Sequence, residues 1–260
     1  MIVDAHTHLG KDYVFEEDFT VERLLKGMEA GKIDASIVQP GTTFDLKIVK
    51  EQHNYIAELA KKMPKRIFGM ANPSPHLPTE EYRKELKRCV EDLRFVAVKL
   101  HPLAHAANPN SSVGRKVFQA ASDLRIPVMV HTGAGVPWAL PSAVIPVAKE
   151  FQNLRIILAH CGSSIFSGEA GLAAQLCPNV YLETSWLPNA SIYGYCKSVG
   201  ADRVMFGSDS GENVATELVK YRTMGLSEDE LNHCLGKTAI KVFDLPIYRD
   251  NSKLRMTVKE

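Results

Sequence analysis

Residues 2–8 read IVDAHTH, a short apolar run rich in β-branched side chains that ends in two histidines. Seven further runs of this kind follow, each bounded by turn residues: DASIVQP from Asp34, RIFGMANP from Arg66, FVAVKLHP from Phe95, IPVMVHTG from Ile126, RIILAHCG from Arg155, VYLETSW from Val180 and RVMFGSDS from Arg203. Such runs are typical of strands that are buried on both faces of a parallel sheet. Successive runs start 23 to 32 residues apart, which is room for one strand and one helix.

Segments with helical periodicity separate these runs. TVERLLKGMEAG begins at Thr20, a candidate N-cap, and stops at Gly31, whereas SEDELNHCLGKTAIKVF begins with Ser227 and Glu230 spaced as a capping box. Eight strands that alternate with helices over about 250 residues predict an α/β fold of the (β/α)8 TIM barrel type, as a single domain over residues 1–260. A doubly wound sheet is the alternative, but no strand is followed by a Gly-x-Gly-x-x-Gly turn.

Composition excludes several classes of protein. The 260 residues are 45% hydrophobic and 23% charged with a net charge of +1, so no overall charge favours nucleic acid or an anionic membrane, and neither is expected as a partner. The five cysteines are an odd number without a Cys-x-x-Cys pair, which favours free thiols and a reducing compartment. MIVDAHTH has no signal-peptide pattern, and we expect a cytoplasmic protein.

Polar side chains are concentrated at the carboxyl ends of the predicted strands, where barrel enzymes place their active sites. His6 and His8, two residues apart on one strand, point to the same face, and Asp4 is expected on that face beneath them. The other strand ends supply Lys99, His101, His131, His160, Glu183 and Asp209. A divalent cation would offset the cost of burying these ionisable groups together, and imidazole and carboxylate are suitable ligands for it.

The ordered strings DAHTHLG, VKLHP, VMVHTG, LAHCG and FGSDS resemble the amidohydrolase superfamily over nearly the whole chain, in particular its amidohydrolase-2 branch of decarboxylases, hydratases and lactonases. The resemblance implies that His6, His8, His131 and Asp209 bind the metal. It implies that His160 orients or polarises the substrate. Asp209 would also accept a proton from a metal-activated water and return it to the leaving group.

Lys99 has two interpretations. In binuclear relatives a lysine on the fourth strand is carboxylated and bridges two metals, whereas an unmodified Lys99 would offer its charge to a substrate carboxylate or pair with Glu183. We favour the unmodified lysine as a catalytic residue, and therefore one metal per chain. Zinc is the first choice of ion, with manganese, iron, cobalt and nickel as alternatives.

These features favour a metal-dependent hydrolase of a small amide, lactone or related substrate, in which Asp209 is the general base. A decarboxylase or hydratase of the same family is the alternative, because it would use the same ligands. A metal-dependent deoxyribonuclease fits less well, since Lys99 stands where those nucleases have glutamate. The expected partner is a small molecule, with carboxylates among the candidates, and assembly into a homo-oligomer stays open. His53, in a charged helix, is expected at the surface.

Overall fold

The computed structural model describes residues 1–247, so the end of the predicted domain, residues 248–260, lies outside the described residues. Eight parallel strands follow one another around a single sheet in chain order. They are β1 (Val3–His8), β4 (Ala35–Gln39), β5 (Ile67–Ala71), β6 (Ala97–Leu100), β7 (Val128–His131), β8 (Ile156–Ala159), β9 (Val180–Glu183) and β10 (Val204–Met205). All eight lie within the apolar runs that predicted them.

The last strand returns to the first. Ala5 donates its backbone N–H to the carbonyl oxygen of Phe206 at 3.0 Å, and Thr7 pairs with Asp209 in a parallel bridge. The sheet therefore closes on itself, and the predicted (β/α)8 TIM barrel is confirmed.

Helices connect the strands around the outside of the barrel. They are α1 (Val21–Gly31), α2 (Leu46–Lys62), α3 (Thr79–Glu91), α4 (Ser112–Leu124), α5 (Ile145–Glu150), α6 (Ser167–Leu176), α7 (Asn189–Tyr195), α8 (Val214–Thr223), α9 (Glu228–Asn232) and α10 (Thr238–Val242). Thr20 caps α1 as predicted, and the capping box of Ser227 and Glu230 begins α9. Among the described residues, every helix is too short or too polar to cross a lipid bilayer.

A small antiparallel hairpin of β2 (Gly10–Lys11) and β3 (Asp18–Phe19) follows the first barrel strand. The sequence did not predict it, because two residues per strand are too few to show an alternating pattern. The hairpin brings Phe19 over the mouth of the barrel, where its ring stacks on His8 at 4.9 Å between centroids.

The core has two layers. Between strands and helices lies a large apolar layer, whereas the barrel interior is filled by a smaller cluster to which all eight barrel strands contribute, including Ile37, Ala97, Met129 and Tyr181. Two residues further along each of these four strands, the same inward face carries a polar side chain: Gln39, Lys99, His131 and Glu183. The interior therefore changes from apolar to polar towards the carboxyl ends of the strands.

Candidate functional site

A register shift in β1 turns the two histidines into the barrel. Val3 and Ala5 belong to the interior cluster, so strict alternation would point His6 and His8 away from it. The pairing of β1 with β4 shifts between Asp4 and Thr7, which restores both histidines to the interior.

The same shift places the Asp4 side chain on the other face of β1 from the two histidine side chains, so the expectation that all three share one face is wrong. Asp4 still accepts a hydrogen bond from the His6 backbone N–H at 3.2 Å. It also accepts hydrogen bonds from the Ser208 side chain at 2.6 Å and the Ser208 backbone at 2.9 Å. Asp4 thus holds the segment that leads to Asp209. It acts on the site through the backbone of the eighth strand end.

Three of the four predicted metal ligands meet at the barrel mouth. Asp209 Oδ1 lies 3.3 Å from His8 Nε2 and 3.5 Å from His6 Nε2. One ligand atom from each of these residues lies within 4.8 Å of the others, which is compatible with a shared ion. Asp209 reaches this position with φ at 65°, in the left-handed region that a short acidic side chain tolerates better than most.

His6 is held in one tautomer by its neighbours. Lys99 Nζ lies 2.9 Å from His6 Nε2, and the ammonium group can only donate, so Nε2 carries a lone pair. The proton then resides on Nδ1, which donates to Glu183 Oε2 at 3.0 Å. A carboxylate that holds the far nitrogen of a histidine is the usual support of a metal-binding imidazole.

His131, the fourth predicted ligand, is also buried, but it lies outside the group of ligand atoms that His6, His8 and Asp209 form. Its ring stacks on His101 at 4.0 Å and lies 5.1 Å from the ring of His160. His131 Nε2 donates to the carbonyl oxygen of Ala134 at 2.9 Å, so Nδ1 carries the lone pair. Within the described residues Nδ1 is buried without a hydrogen-bond partner, and it is free to bind a cation.

The His160 ring lies 5.1 Å from the ring of His6 and 5.1 Å from that of His131. Its Nδ1 is 2.7 Å from Ser185 Oγ, and Ser185 donates to Glu183 Oε2 at 3.0 Å. The other nitrogen, Nε2, lies 3.9 Å from Asp209 Oδ1. His160 is therefore oriented by a hydrogen-bond chain and faces the carboxylate predicted to move a proton.

Burial and the neighbouring charges fix the protonation states. Burial lowers the pKa of His160 to about 3, and burial together with Lys99 holds the pKa of His6 well below its usual range. Both imidazoles are therefore neutral at pH 7, and the neutral form is the one that His6 needs in order to bind a metal. Burial raises the pKa of Asp209, but the nearby histidines, His160 foremost, more than offset this and bring it well below its usual value. Asp209 is therefore a carboxylate.

The sequence predicted neither the position of Gln39 at the site nor the hydrogen bond that Trp186 makes there. Gln39 Nε2 lies 2.7 Å from His8 Nε2 and 3.1 Å from His6 Nε2, and Trp186 donates its indole N–H to Asp209 Oδ2 at 2.8 Å. Gln39 could have been found from its place at the end of the second strand, two residues after Ile37. Trp186 lies in a loop, and no sequence pattern fixes where a loop side chain points.

A cavity of about 450 Å³ opens beside Asp209 between Phe19 and Trp186. Above the site, Phe15 lies 5.7 Å from the ring of His101. Phe19 and Trp186 are the aromatic residues in the lining of the cavity, which is otherwise polar and includes the charged residues Glu17, Asp18, Arg23, Asp209 and Glu212.

A second cluster lies outside the barrel, between α2 and α3. His53 Nδ1 donates to Glu85 Oε1 at 2.8 Å, and Cys89 Sγ lies 3.3 Å from the same nitrogen. The expectation that His53 is at the surface is wrong, since the residue is fully buried. Arg88 donates two hydrogen bonds to Glu85, and the Asn72 backbone donates to His53 Nε2, so the network is satisfied as a link between helices.

Comparison with solved structures identifies proteins that share this fold. The chain is 19% identical to 2,6-dihydroxybenzoate decarboxylase from Rhizobium (TM-score 0.73, covering 94% of this chain and 98% of that one). It is 15% identical to 5-carboxyvanillate decarboxylase from Sphingomonas paucimobilis (TM-score 0.75, 94% and 99%). It is 16% identical to a dihydroxybenzoic acid decarboxylase from Polaromonas sp. JS666 with bound manganese and the inhibitor 2-nitroresorcinol (TM-score 0.74, 94% and 97%). No curated protein sequence matches the chain.

These comparisons correct the expected reaction. The sequence favoured a hydrolase, but the similar structures named above are decarboxylases, so the main expectation is wrong and its lyase alternative is better supported. Expected zinc is not confirmed, because manganese is the ion named in the Polaromonas structure. The model of the amidohydrolase family, in its amidohydrolase-2 branch, matches residues 3–245, and the chain belongs to that family.

Proposed function

We propose that this protein is a metal-dependent decarboxylase that removes carbon dioxide from a small aromatic carboxylate. The observation that carries the proposal is the convergence of His6, His8 and Asp209 beside buried Lys99 at the mouth of the barrel. Similarity of fold to decarboxylases of hydroxylated benzoates supports the substrate class. The cavity beside Asp209 offers Phe19 and Trp186 as contacts for an aromatic ring.

We assign one divalent cation to His6, His8, Asp209 and His131. These donors fit a divalent cation. The His6 tautomer leaves a lone pair on Nε2, and His131 Nδ1 is buried without a hydrogen-bond partner within the described structure. Manganese is our first choice, with zinc as the alternative, since imidazole and carboxylate suit both ions. When bound, the cation would polarise the oxygen atoms of the substrate and lower the energy of negative charge that develops on it.

Lys99 is assigned to the substrate carboxylate as an unmodified lysine. Lys99 is only 1% exposed, and its ammonium group contacts His6 Nε2, so a carboxylate bound there would meet a positive charge that water screens little.

Asp209 is assigned as the proton carrier, and His160, whose Nε2 lies 3.9 Å from Asp209 Oδ1, as the group that orients or polarises the substrate. In the reaction, the bond between the ring carbon and the carboxylate breaks, the electron pair stays on the ring carbon, and that carbon takes one proton as carbon dioxide leaves. Asp209 receives this proton from a phenolic hydroxyl of the substrate or from water and delivers it to the carbon. Trp186 holds the other carboxylate oxygen in place through its indole N–H.

The test is carbon dioxide release from a panel of hydroxylated benzoates, including 2,6-dihydroxybenzoate and 5-carboxyvanillate, by protein reconstituted with Mn²⁺. We expect one carbon dioxide per molecule of decarboxylated product and loss of turnover after chelation. Absence of carbon dioxide release across the panel from protein that retains stoichiometric Mn²⁺ would overturn the proposed reaction.

A further inference from the structure

Gln39 occupies the space between the two histidine nitrogens that face the proposed ion. Its Nε2 lies 2.7 Å from His8 Nε2 and 3.1 Å from His6 Nε2, and the residue is completely buried at the end of β4. The other end of the same amide, Oε1, is buried and has no hydrogen-bond partner among the described residues. An unpaired buried amide oxygen costs free energy, so its position requires an explanation.

The present contacts of Gln39 are incompatible with a metal on the histidines. Both histidine nitrogens would give their lone pairs to the cation, and the Gln39 amide would then have two N–H groups directed at a positive ion with no acceptor. Rotation of the amide by half a turn exchanges Nε2 and Oε1. The oxygen would then lie about where Nε2 lies now, roughly 3 Å from each histidine nitrogen.

That spacing is the one that ligands of a single ion have. Neighbouring ligand atoms on bonds of about 2.1 Å lie about 3 Å apart when the bonds are near right angles. Amide oxygen is a normal ligand for divalent cations that prefer oxygen, manganese among them. Lys99, the other group in contact with His6 Nε2, can supply no lone pair while it is protonated.

We propose that Gln39 is a further ligand of the metal, through its side-chain oxygen Oε1. The inference rests on the proposed metal site, which it extends with a residue from the second barrel strand. It also accounts for the orphaned oxygen, since the cation becomes its partner. In this view the amide orientation changes with occupancy: its nitrogen bridges the histidines without the ion, and its oxygen binds the ion when it arrives.

The test compares Mn²⁺ affinity, measured by electron paramagnetic resonance of the free ion, in wild type, Gln39→Leu and Gln39→Glu. We expect Gln39→Leu to weaken Mn²⁺ binding by about 10-fold or more, as loss of a ligand requires, and Gln39→Glu to restore binding because it keeps an oxygen at the same reach. Gln119→Leu, on the exposed face of α4, is the matched control and should bind Mn²⁺ as wild type does.

Cobalt(II) spectra give a second readout that does not depend on affinity. The visible bands of the Co²⁺-loaded protein report coordination, so they should change in Gln39→Leu at saturating Co²⁺ and remain unchanged in Gln119→Leu. The proposal would be overturned if Gln39→Leu bound Mn²⁺ with wild-type affinity and showed an unaltered Co²⁺ spectrum. This holds even if the variant has a raised KM for the substrate, because such a change would place Gln39 at the substrate and not at the metal. These readouts need no turnover. A wild-type protein that binds Mn²⁺ but releases no carbon dioxide would therefore contradict the decarboxylase assignment and leave the Gln39 proposal to be decided by the metal-binding data.

Discussion

His6 Nδ1 and Glu183 Oε2 lie 3.0 Å apart, and neither side chain is exposed to solvent. This hydrogen bond fixes the proton on the nitrogen that faces away from the metal centre and leaves the other nitrogen as a ligand. Glu183 also accepts from Ser185, which contacts His160. One buried carboxylate therefore orients a proposed ligand and a proposed catalytic histidine at the same time.

Replacement of this carboxylate should weaken the metal site. We expect Glu183→Gln to lower Mn²⁺ affinity about 10-fold, because an amide oxygen is a weaker acceptor for the proton on His6 Nδ1 and so supports His6 less well as a ligand. Isothermal titration calorimetry measures the change. Glu85→Gln, at an equally buried glutamate between helices, is the control and should leave affinity unaltered. Equal affinities in all three proteins would show that Glu183 does not support the ligand.

Asp209→Asn should separate metal binding from turnover. The amide keeps an oxygen for the ion but cannot carry the proton, so we expect metal occupancy to fall only partly and kcat to fall by about 10²- to 10⁴-fold. Steady-state carbon dioxide release and metal analysis on the same preparation measure both quantities. Full activity in this variant would remove Asp209 from the role of proton carrier.

Lys99 should be unmodified. We expect one metal per chain by elemental analysis and no carbon dioxide adduct by intact mass. Two metals per chain would favour the carboxylated, binuclear alternative, and stoichiometry has more weight because the adduct can be lost during preparation. In the mononuclear enzyme, Lys99→Met should raise KM for the carboxylate substrate about 10-fold, the equivalent of about 1.4 kcal/mol.

Ionised Glu85 should stabilise the fold, and this contribution to the free energy of unfolding should be lost at acid pH. Burial raises the pKa of Glu85, but hydrogen bonds from His53 and Arg88 outweigh burial and lower the pKa to about 2 from its ordinary 4.5. Its stabilisation is therefore present above pH 4.5 and is lost as the pH falls towards 2. Glu85→Ala should lower the free energy of unfolding at pH 7 by about 3 kcal/mol, since it leaves two partners unpaired.

Urea titrations at intervals from pH 7 to pH 3 measure this effect. The gap between wild type and Glu85→Ala should narrow below pH 4.5. The exposed Glu58, paired with Lys61 on the surface, provides the control, and Glu58→Ala should leave stability nearly unchanged. A gap that stays constant over the whole range would mean that the ionised form of Glu85 does not contribute to stability.

The barrel was predictable because its evidence is local. Each strand is buried on both sides and therefore reads as a continuous apolar run, and each run ends where the barrel interior becomes polar. His6, His8, His131, His160 and Asp209 could be listed from these ends alone. Their meeting follows from the closure of the sheet, which the alternation of strands and helices implies.

The remaining features depend on contacts between distant parts of the chain. The register shift that turns His6 inward is set by pairing with β4, and His53 is buried because Glu85 approaches it from another helix. A glutamine at a strand end has no special pattern, so Gln39 becomes visible only when both histidines lie beside it. The reaction type could not be predicted from the ligands, since hydrolases and decarboxylases of this family use the same ones.

Anomalous diffraction from crystals of the Mn²⁺-loaded protein tests the metal centre most directly. We expect one strong manganese peak per chain, bonded to His6 Nε2, His8 Nε2, Asp209 Oδ1 and His131 Nδ1. A peak at the buried His53, Glu85 and Cys89 cluster instead, or no peak at the barrel mouth at saturating Mn²⁺, would contradict it.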